Sequence, residues 1–368
     1  MQDAILSINP GTTTTRCALY AWTKGDLTPI SEATLDHDEV QMARFQSIPE
    51  QLHFRARCVA TFLEGIKVPF KLIACAGRGG MLTPVPAGVI RVDRDLVNFA
   101  LYSPLHQHAS NLGAPLADAI ATAHGVPAFV VDPVSVDQFA KVARISGVPE
   151  LPRFSFGHAL NIRACGRRLA RDLDKPFDDL RSVVAHLGAG FSIAALERGQ
   201  IVDNSNRMEA SPFTPERAGG VPPLALIDLC YSGRFTKDEL KNRLYGNGGL
   251  QALLGTKDVR RVEAMIENGD TNAALIFEAM LYQIAKAIGA MASVLEFDLD
   301  AIILTGGLAN SPRVCAALEQ KVGRIAPLVS YPGSDECRAL AEGAARVLVR
   351  TEKPMEWAQL APRESAAE

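Results

Sequence analysis

The chain has 368 residues, more than one hydrophobic core usually organises, so we expect two domains. Hydrophobic residues make up 48% and charged residues 21% of it, and a formal net charge of -3 argues against a nucleic-acid-binding or membrane-binding surface. Seven scattered cysteines without a C-x-x-C pair indicate reduced thiols and argue against a zinc site. The start lacks a signal-peptide pattern and no uninterrupted apolar run approaches about 18 residues, so a cytoplasmic protein is expected.

A strand, a glycine-containing turn and a second strand occur twice in the chain. The first copy is predicted from the apolar runs Ala4–Ile8 and Cys17–Trp22, and the second from Val183–Leu187 and Ser192–Leu196. A further buried strand, Ala301–Thr305, runs into two glycines. Apolar residues at three- and four-residue spacing predict intervening helices at Asn111–His124, Ala159–Asp172 and Ala273–Leu295. Strands and helices therefore mix in two related halves of an α/β protein.

The first turn carries a run of hydroxyl groups. Thr12, Thr13, Thr14 and Thr15 follow Gly11 between the first two strands. A turn of glycine and small hydroxylated residues exposes backbone N–H and side-chain O–H donors on one edge, which suits phosphate oxygens. A β-prone surface turn is the alternative for one such segment, but three glycine-rich turns together favour nucleotide binding.

The sequence resembles the butyrate kinases along nearly its whole length. The segments INPGTTTTR, GRGGMLTPVPAG, HASNLGA, AHLGAGFS, LTGGLA and YPGSDE occur in the order found in that family. The butyrate kinases belong to the acetate kinase group, within the superfamily of actin, sugar kinases and heat-shock ATPases. The resemblance implies two related domains of the actin-like ATPase (ribonuclease H-like) fold, with mixed sheets flanked by helices and a central nucleotide cleft.

The same resemblance implies how the chain is divided. Residues 1–150 are expected to form an N-terminal domain with the first phosphate turn and the acyl-substrate residues, completed by a C-terminal helix at about 338–355. Residues 151–337 are expected to form a domain with the second phosphate turn and the adenosine site. Residues 356–368 carry no motif and are expected to form a tail.

The resemblance implies a phosphotransferase with a carboxyl group as acceptor. Reversible ATP-dependent phosphorylation of butanoate, or of a similar short or branched fatty acid, would give an acyl phosphate and ADP by direct in-line transfer. A carboxylate with a pKa near about 4 is already ionised at neutral pH and needs no general base. Its repulsion from ATP is the main obstacle, so Mg²⁺ or Mn²⁺ and fixed cations are expected.

Two other functions stay open. An acetate or propionate kinase would share the motifs and differ in the acyl pocket. A nucleotide-regulated scaffold, like actin, would keep the phosphate turns and lose the cations that bind the substrate. The expected partners are a short-chain carboxylate and ATP, with no nucleic acid and no membrane, and the protein is expected to be a homodimer or a higher homo-oligomer.

Four residues match catalytic positions of the family. Arg78 follows the apolar strand Leu72–Ala76, Arg217 lies in FTPERAG and His158 lies in GHALN. The arginines are expected to hold the carboxylate and the transferring phosphoryl group, which His158 is expected to stabilise. Asp132, in VVDPV, is expected to position Arg78 or metal-bound water. The alternatives are a surface ion pair for each arginine, a structural histidine, and an aspartate that forms a turn before proline.

The remaining site residues also follow from the resemblance. Asn9 and Glu336 match residues that hold Mg²⁺, directly or through water. The expected nucleotide contacts are Thr12, Thr13, Thr14, Arg16, His186, Gly188, Gly190, Gly306 and Gly307. The expected substrate contacts are His106, Leu105, Gly80 and Gly157.

Several positions depart from the family pattern. Arg16 replaces the usual lysine, which keeps the charge and changes its geometry. Ala189 replaces a glycine, so the second turn is expected to avoid a positive φ or to accept strain. Gly79 and Gly80 stand where acetate kinases carry valines, and Gly157 stands where relatives carry a phenylalanine. These three glycines predict extra room for a longer or branched acyl chain.

Overall fold

A computed structural model describes residues 1–23, 26–205 and 211–360. The chain divides into two compact units, each with its own hydrophobic core. The first unit consists of Met1–Asp137, Ala159–Asn161 and 335–360, and the second of Gln138–His158 and Ile162–Ser334. The boundary expected at residue 150 and the tail expected from residue 356 stay predictions, and residues 361–368 lie outside the described ranges.

Strands and helices mix along the described part of the chain. The strands are β1 (Gln2–Pro10), β2 (Thr14–Thr23), β3 (Asp26–Asp36), β4 (Phe70–Arg78), β5 (Val89–Arg91), β6 (Ala128–Val131), β7 (Arg181–Leu187), β8 (Phe191–Glu197), β9 (Gln200–Ser205), β10 (Ala301–Gly306) and β11 (Leu328–Pro332). The helices are α1 (Glu39–Met42), α2 (Leu52–Glu64), α3 (Arg94–Tyr102), α4 (Gly113–His124), α5 (Ala159–Asp172), α6 (Pro223–Tyr231), α7 (Lys237–Leu244), α8 (Gly249–Leu254), α9 (Val259–Glu267), α10 (Thr271–Val294), α11 (Pro312–Val322), α12 (Glu336–Leu348) and α13 (Trp357–Leu360). Each strand and helix predicted above coincides with or overlaps one of these elements.

Both units are built on the same arrangement of strands. The first sheet has the order β3-β2-β1-β4-β6-β5, in which β1, β2 and β3 are antiparallel and β4 and β6 continue parallel to β1. The second sheet has the order β9-β8-β7-β10-β11, again with three antiparallel strands followed by two parallel ones. The β1–β2 and β7–β8 turns therefore occupy corresponding places, as do the ends of β4 and β10. The predicted repeat of two mixed sheets is confirmed.

Helices supply the apolar surfaces that bury each sheet. In the first unit α4 and α12 contact β1 and β4, and in the second unit α10 contacts β7 and β8. Within the described ranges, α10 is the one helix long and apolar enough to cross a membrane, with a mean hydropathy of 1.3. Its Phe277, Met280 and Ile284 are buried in the core of the second unit.

The C-terminal helix is shorter than expected. α12 ends at Leu348, and Arg350 then adopts a φ of +62°, which stops the helix. The chain returns to the first sheet, where the N–H of Met355 donates to the carbonyl of Val89 at 2.8 Å. Trp357, only 2% exposed, completes the core of this unit. The expectation of a helix to about residue 355 is therefore wrong beyond Leu348.

Candidate functional site

The turn between β1 and β2 holds the predicted nucleotide-binding threonines. The N–H of Gly11 donates to the carbonyl of Thr14 at 2.8 Å, which closes the turn. The side chains of Thr12 and Thr13 are exposed, and their backbone N–H groups donate to no other group within the described ranges. Arg16 lies further along the same hairpin with its side chain exposed. The turn therefore presents the free donors that phosphate oxygens require.

Asn9, Arg78 and Glu336 form one cluster in the first unit. Asn9 lies near the end of β1, Arg78 ends β4, and Glu336 begins α12. Asn9 Nδ2 donates to Glu336 Oε2 at 2.6 Å, and the guanidinium of Arg78 forms an ion pair with the same carboxylate. Arg78 Nη1 also lies 3.4 Å from Asn9 Oδ1. The fold thus brings the two predicted metal ligands together with a predicted catalytic arginine.

The oxygens of this cluster fit a divalent metal that takes few protein ligands. A cationic group, the guanidinium of Arg78, contacts both Asn9 Oδ1 and the carboxylate of Glu336, so these oxygens are arranged to receive positive charge. The described residues include no group of three or more His, Cys, Asp or Glu side chains that could hold a metal ion. One amide and one carboxylate suit Mg²⁺ that keeps several waters or binds substrate phosphates.

Asp132 follows β6 in an uncommon backbone conformation. Its φ is +39°, in a region that residues other than glycine rarely adopt. The buried side chain accepts a hydrogen bond from the N–H of Gly88 at 2.7 Å, which fixes the loop before β5. Such outliers cluster at functional sites, but a loop-holding role also accounts for this one. The catalytic role of Asp132 stays a prediction.

Two of the predicted acyl-binding residues are exposed. The side chain of Leu105 is 55% exposed, and that of His106 is also exposed. The carbonyl of His106 accepts a hydrogen bond from Asn111 Nδ2 at 2.8 Å, and Asn111 Oδ1 accepts the N–H of Met81 at 2.8 Å. Asn111, which was not predicted, therefore ties the segment with His106 to the segment after Arg78. The substrate contacts of Leu105 and His106 stay predictions.

The glycines after Arg78 do not leave the room that was expected. A Cβ at Gly80 would lie 2.2 Å from Asn111 Oδ1, and a Cβ at Gly79 would lie 2.3 Å from Pro133 Cβ. Asn111 and Pro133 therefore fill the space beside them. These glycines allow segments of the unit to approach closely, so the inference of a larger acyl pocket from their missing side chains is wrong. A contact between Gly80 and the substrate stays a prediction.

The turn between β7 and β8 corresponds to the first turn and contains Gly188, Ala189 and Gly190. His186, near the end of β7, leads into it. The hydroxyl of the buried Thr214 donates to the carbonyl of Ala189 at 2.8 Å and holds the turn from one side. Ala189 is absent from the described residues with a positive φ, so this turn accepts alanine without strain.

Arg217 lies against the second turn. A Cβ at Gly190 would lie 2.0 Å from Arg217 Nη1, so the observed position of the guanidinium depends on glycine there. The guanidinium also stacks on Tyr245, with Cζ 4.2 Å from the ring centre. Among the described residues, Arg217 Nε and Nη1 are buried and find no hydrogen-bond partner. Unpaired donors on a cation beside a phosphate turn are suited to an anionic ligand.

His158 and His186 are brought into contact in the second unit. Their ring centres lie 3.9 Å apart at an interplanar angle of 17°, and His158 Nδ1 lies 2.9 Å from Ser192 Oγ. A Cβ at Gly157 would lie 3.0 Å from the same Ser192 Oγ. Gly157 therefore lets Ser192 approach His158. A Cβ at Gly157 would require Ser192 to shift by only a few tenths of an ångström, so the expected room for a longer acyl chain beside Gly157 stays a prediction.

A cavity of about 760 Å³ adjoins the second turn. Gly188, Gly307 after β10, Lys257 and Glu263 contribute to its walls. Gly306 adopts a φ of +88° against the backbone of β7, which brings the end of β10 next to the turn. The volume lies within the usual range for small-molecule sites. The cavity is the best candidate in this unit for the expected adenosine site.

Three supporting residues of the second unit were not predicted from the sequence: Ser192, Thr214 and Tyr245. Each acts on a predicted residue through a hydroxyl group or a ring, and such residues are too common in sequences to stand out. A signal existed for Ser192 alone. The hairpin register pairs His186 with Ser192 across β7 and β8, so the predicted hairpin could have placed it.

Comparison with known proteins identifies a relative along nearly the whole chain. A profile described as the acetokinase family matches residues 151–325. A protein described as probable butyrate kinase 2, from Caldanaerobacter subterraneus subsp. tengcongensis, is 45% identical over 352 residues. That alignment covers 95% of this chain and 98% of the relative.

Solved structures of similar fold include an acetate kinase and a propionate kinase. The acetate kinase of Porphyromonas gingivalis gives a TM-score of 0.73 at 18% identity, over 95% of this chain and 100% of its own. A propionate kinase from Francisella tularensis subsp. tularensis gives 0.70 at 17% identity, over 93% and 98%. These likenesses confirm the expected actin-like fold with two domains. Because a relative is 45% identical along almost its entire length, the chain belongs to the acetokinase family.

Proposed function

We propose that this chain is a butyrate kinase, which transfers the γ-phosphoryl group of ATP to butanoate or a similar short or branched fatty acid. The products would be an acyl phosphate and ADP, and the reaction would be reversible. The relative with 45% identity bears this name. The structural observation that supports the proposal best is the cluster of Asn9, Glu336 and Arg78, where a fixed cation lies against two oxygens suited to a metal.

The chemistry of a carboxylate acceptor explains why cations matter more than a base. The acceptor is ionised at neutral pH, since its pKa lies near about 4, and its oxygen is already a nucleophile. Two unit negative charges about 4 Å apart repel by roughly 4 kcal/mol at an effective dielectric constant of about 20. The γ-phosphate of ATP carries more than one charge, so the site must above all neutralise charge.

The residues of the first unit are assigned to the acceptor, the metal and part of the phosphate chain. Arg78 would bind the acceptor carboxylate through donors other than Nη1, which contacts Glu336. The free N–H groups of Thr12 and Thr13 would donate to phosphate oxygens. When bound, Mg²⁺ or Mn²⁺ would be held by Asn9 and Glu336 and would neutralise negative charge on the phosphate oxygens of ATP.

The residues of the second unit are assigned to the nucleotide and the transferring group. Arg217 would donate from Nε and Nη1, which have no hydrogen-bond partner among the described residues, to the transferring phosphoryl. His158, oriented by Ser192 and stacked on His186, would donate to an oxygen of the same group. The adenosine would bind in the cavity beside Gly188. Direct in-line transfer then requires positioning and charge stabilisation alone.

A hydroxamate assay of acyl phosphate formation, run with acids of two to six carbons and with branched acids, tests the proposal. We expect kcat/KM for butanoate to exceed that for acetate by at least about tenfold, since each buried methylene contributes about 0.8 kcal/mol. A preference for acetate or propionate would contradict butanoate as the substrate. Acyl phosphate from none of the acids would favour a nucleotide-binding scaffold.

Removal of the metal tests the assignment of Asn9 and Glu336. Excess chelator should abolish acyl phosphate formation, and Mg²⁺ or Mn²⁺ should restore it, because neutralisation of phosphate charge is the main catalytic need. Undiminished activity in chelator would overturn the assignment.

We further propose that the protein works in the cytoplasm as a homodimer or a higher homo-oligomer. All seven cysteines lie in the described ranges and are free thiols, which supports a reducing compartment. Cell fractionation would test the location, and the molar mass in solution would test the oligomer.

A further inference from the structure

Arg55, on α2, is a buried cation beneath the first phosphate turn. Its residue is 0% exposed, and all its side-chain nitrogens donate to protein oxygens. Nε donates to Gln51 Oε1 at 3.1 Å, Nη1 donates to the carbonyl of Thr14 and to Thr15 Oγ1 at 2.9 Å each, and Nη2 donates to the carbonyl of Thr12 at 2.9 Å. Three of the four acceptors belong to the turn or to the start of β2.

None of these acceptors carries a charge. Within the described ranges no Asp or Glu forms an ion pair with Arg55, and its charge interacts with the titratable groups of His37 and Cys58. Burial lowers the pKa of Arg55 to about 10, so the guanidinium stays protonated at neutral pH. The pKa of His37 is lowered by burial and by the charge of Arg55, so its ring is neutral there. A buried cation without a carboxylate is costly, which indicates that its charge serves an anion outside the fold.

The hydrogen bonds of Arg55 also set the direction of the turn. In a trans peptide the C=O and the following N–H point in opposite directions. Arg55 binds the carbonyl of Thr12, so the N–H of Thr13 points away from the guanidinium. The N–H of His37 donates to the carbonyl of Thr13 at 2.8 Å and fixes the next peptide of the turn. Donation to these carbonyls also polarises the peptide groups and strengthens their outward donors.

We propose that Arg55 is the positioning residue and buried countercharge of the first phosphate turn. It holds the carbonyl oxygens of Thr12 and Thr14 inward, directs the N–H of Thr13 away from itself and toward the phosphate chain of ATP or ADP, and adds positive potential beneath the turn. Arg55 acts through the turn and touches no ligand. This inference rests on the proposed function, in which the turn binds nucleotide phosphates.

The charge and the scaffold role of Arg55 can be separated by substituting its neighbour. Gln51→Glu keeps the oxygen that accepts from Arg55 Nε and places a carboxylate beside the guanidinium. The new ion pair should leave the unfolding temperature unchanged or raise it, while it cancels the field at the turn. Arg55→Met removes both the charge and the hydrogen bonds. Arg57→Met, on the same helix with its side chain exposed, removes an equal charge that water already screens.

Calorimetry of the full chain with Mg²⁺ should compare ADP with adenosine, which lacks phosphates. For Gln51→Glu we expect the Kd for ADP to rise at least about fivefold while the Kd for adenosine stays within about twofold. Arg55→Met should weaken ADP further, and Arg57→Met should change neither Kd. Unchanged ADP binding in Gln51→Glu, or an equal loss for both ligands, would overturn the role of the charge. If Arg55→Met fails to fold, the ADP affinities of Arg55→Lys and Gln51→Glu still test the role of Arg55. A wild-type protein that binds no ADP would instead contradict the proposed function.

Discussion

An arginine lies beside each of the two predicted phosphate turns, but the two arginines make different contacts. Arg55 lies on the carbonyl side of the first turn, and its donors all reach uncharged protein oxygens. Arg217 lies against Gly190 of the second turn, and two of its buried nitrogens find no hydrogen-bond partner among the described residues. The two turns occupy corresponding places, because five strands of the first sheet follow the same order as the five strands of the second.

This difference fits the two roles proposed above, in which Arg55 shapes the first turn and Arg217 binds the ligand. The donors of Arg55 are saturated by the protein, so its loss should change the shape of the turn and the affinity for phosphates. Arg217 keeps unsatisfied donors, so its loss should affect the reaction and spare the fold.

Arg78→Ala should have the largest effect among the ligand-facing groups. We expect kcat to fall at least about a hundredfold, the usual scale for loss of a preorganised electrostatic contact. The Kd for ADP should change little, because Arg78 is assigned to the acceptor. Steady-state kinetics and calorimetry measure the two quantities. A near-normal kcat with weak ADP binding would reassign Arg78 to the nucleotide.

Arg217→Met should lower kcat by roughly thirtyfold, since a hydrogen bond to a charged group contributes about 2 kcal/mol. The unfolding temperature should stay the same or rise, because the variant removes two buried donors without partners. Thermal unfolding beside the kinetics checks this pairing of effects. Arg234→Met, an exposed arginine of the same unit, is the control. If Arg217→Met lowers the unfolding temperature and leaves kcat unchanged, Arg217 stabilises the fold and does not act on the ligand.

Ser192→Ala should lower kcat by about three- to tenfold with little change in KM for ATP. The buried hydroxyl contacts His158 Nδ1 and orients the ring, and a neutral hydrogen bond contributes about 1 kcal/mol. The pH dependence of kcat should shift as well, which a purely structural serine would not cause. Ser232→Ala, at an exposed position, is the control. Unchanged kinetics and pH profile would remove Ser192 from the site.

The smallest expected effect is the contribution of His37, on the interior side of the first turn, to the pH dependence of stability. Its pKa is lowered in the folded protein, first by burial and then by the charge of Arg55. The unfolded chain, with a histidine pKa near about 6.5, therefore binds the proton first. The free energy of unfolding is thus greatest above that pKa and decreases as the pH falls through it.

We therefore expect the unfolding temperature of wild type to fall more steeply between about pH 7 and pH 5 than that of His37→Gln. The amide of the variant can replace the ring nitrogen that lies 2.8 Å from Thr15 Oγ1 and does not titrate. His53→Gln, on the exposed side of α2, should keep the wild-type slope. Equal slopes for all three proteins would contradict a protonation cost at His37.

Strands and turns were predictable because local pattern determines them. The apolar runs around Gly11 and Gly190 predicted both hairpins, and the resemblance selected Asn9, Arg78 and Glu336, which the fold brings together. Arg55 was not predictable in the same way. Arg55 and Arg57 lie two residues apart on one helix, yet Arg55 is buried and Arg57 is exposed. Both are arginines, so residue type alone does not indicate which of them is buried.

The sequence also could not show whether the glycines leave empty space in the acyl pocket. A glycine shows that a side chain is missing, but it does not show what takes the space. At Gly80 the neighbour is Asn111, 31 residues along the chain, and at Gly157 it is Ser192, 35 residues along the chain, and both are placed by tertiary packing. Pocket size therefore could not be inferred from a missing side chain alone.

The first unit is discontinuous along the chain, and this sets the order in which the protein can mature on the ribosome. Apart from 159–161, about 200 residues separate Asp137 from Asp335, where the chain rejoins the unit. At roughly 5–20 residues per second their synthesis takes about 10–40 s. During that time Ile90 lacks its extended neighbour at Met355, and the core lacks Trp357. The N-terminal segment of the first unit therefore lacks part of its core until the last part of the chain has been synthesised.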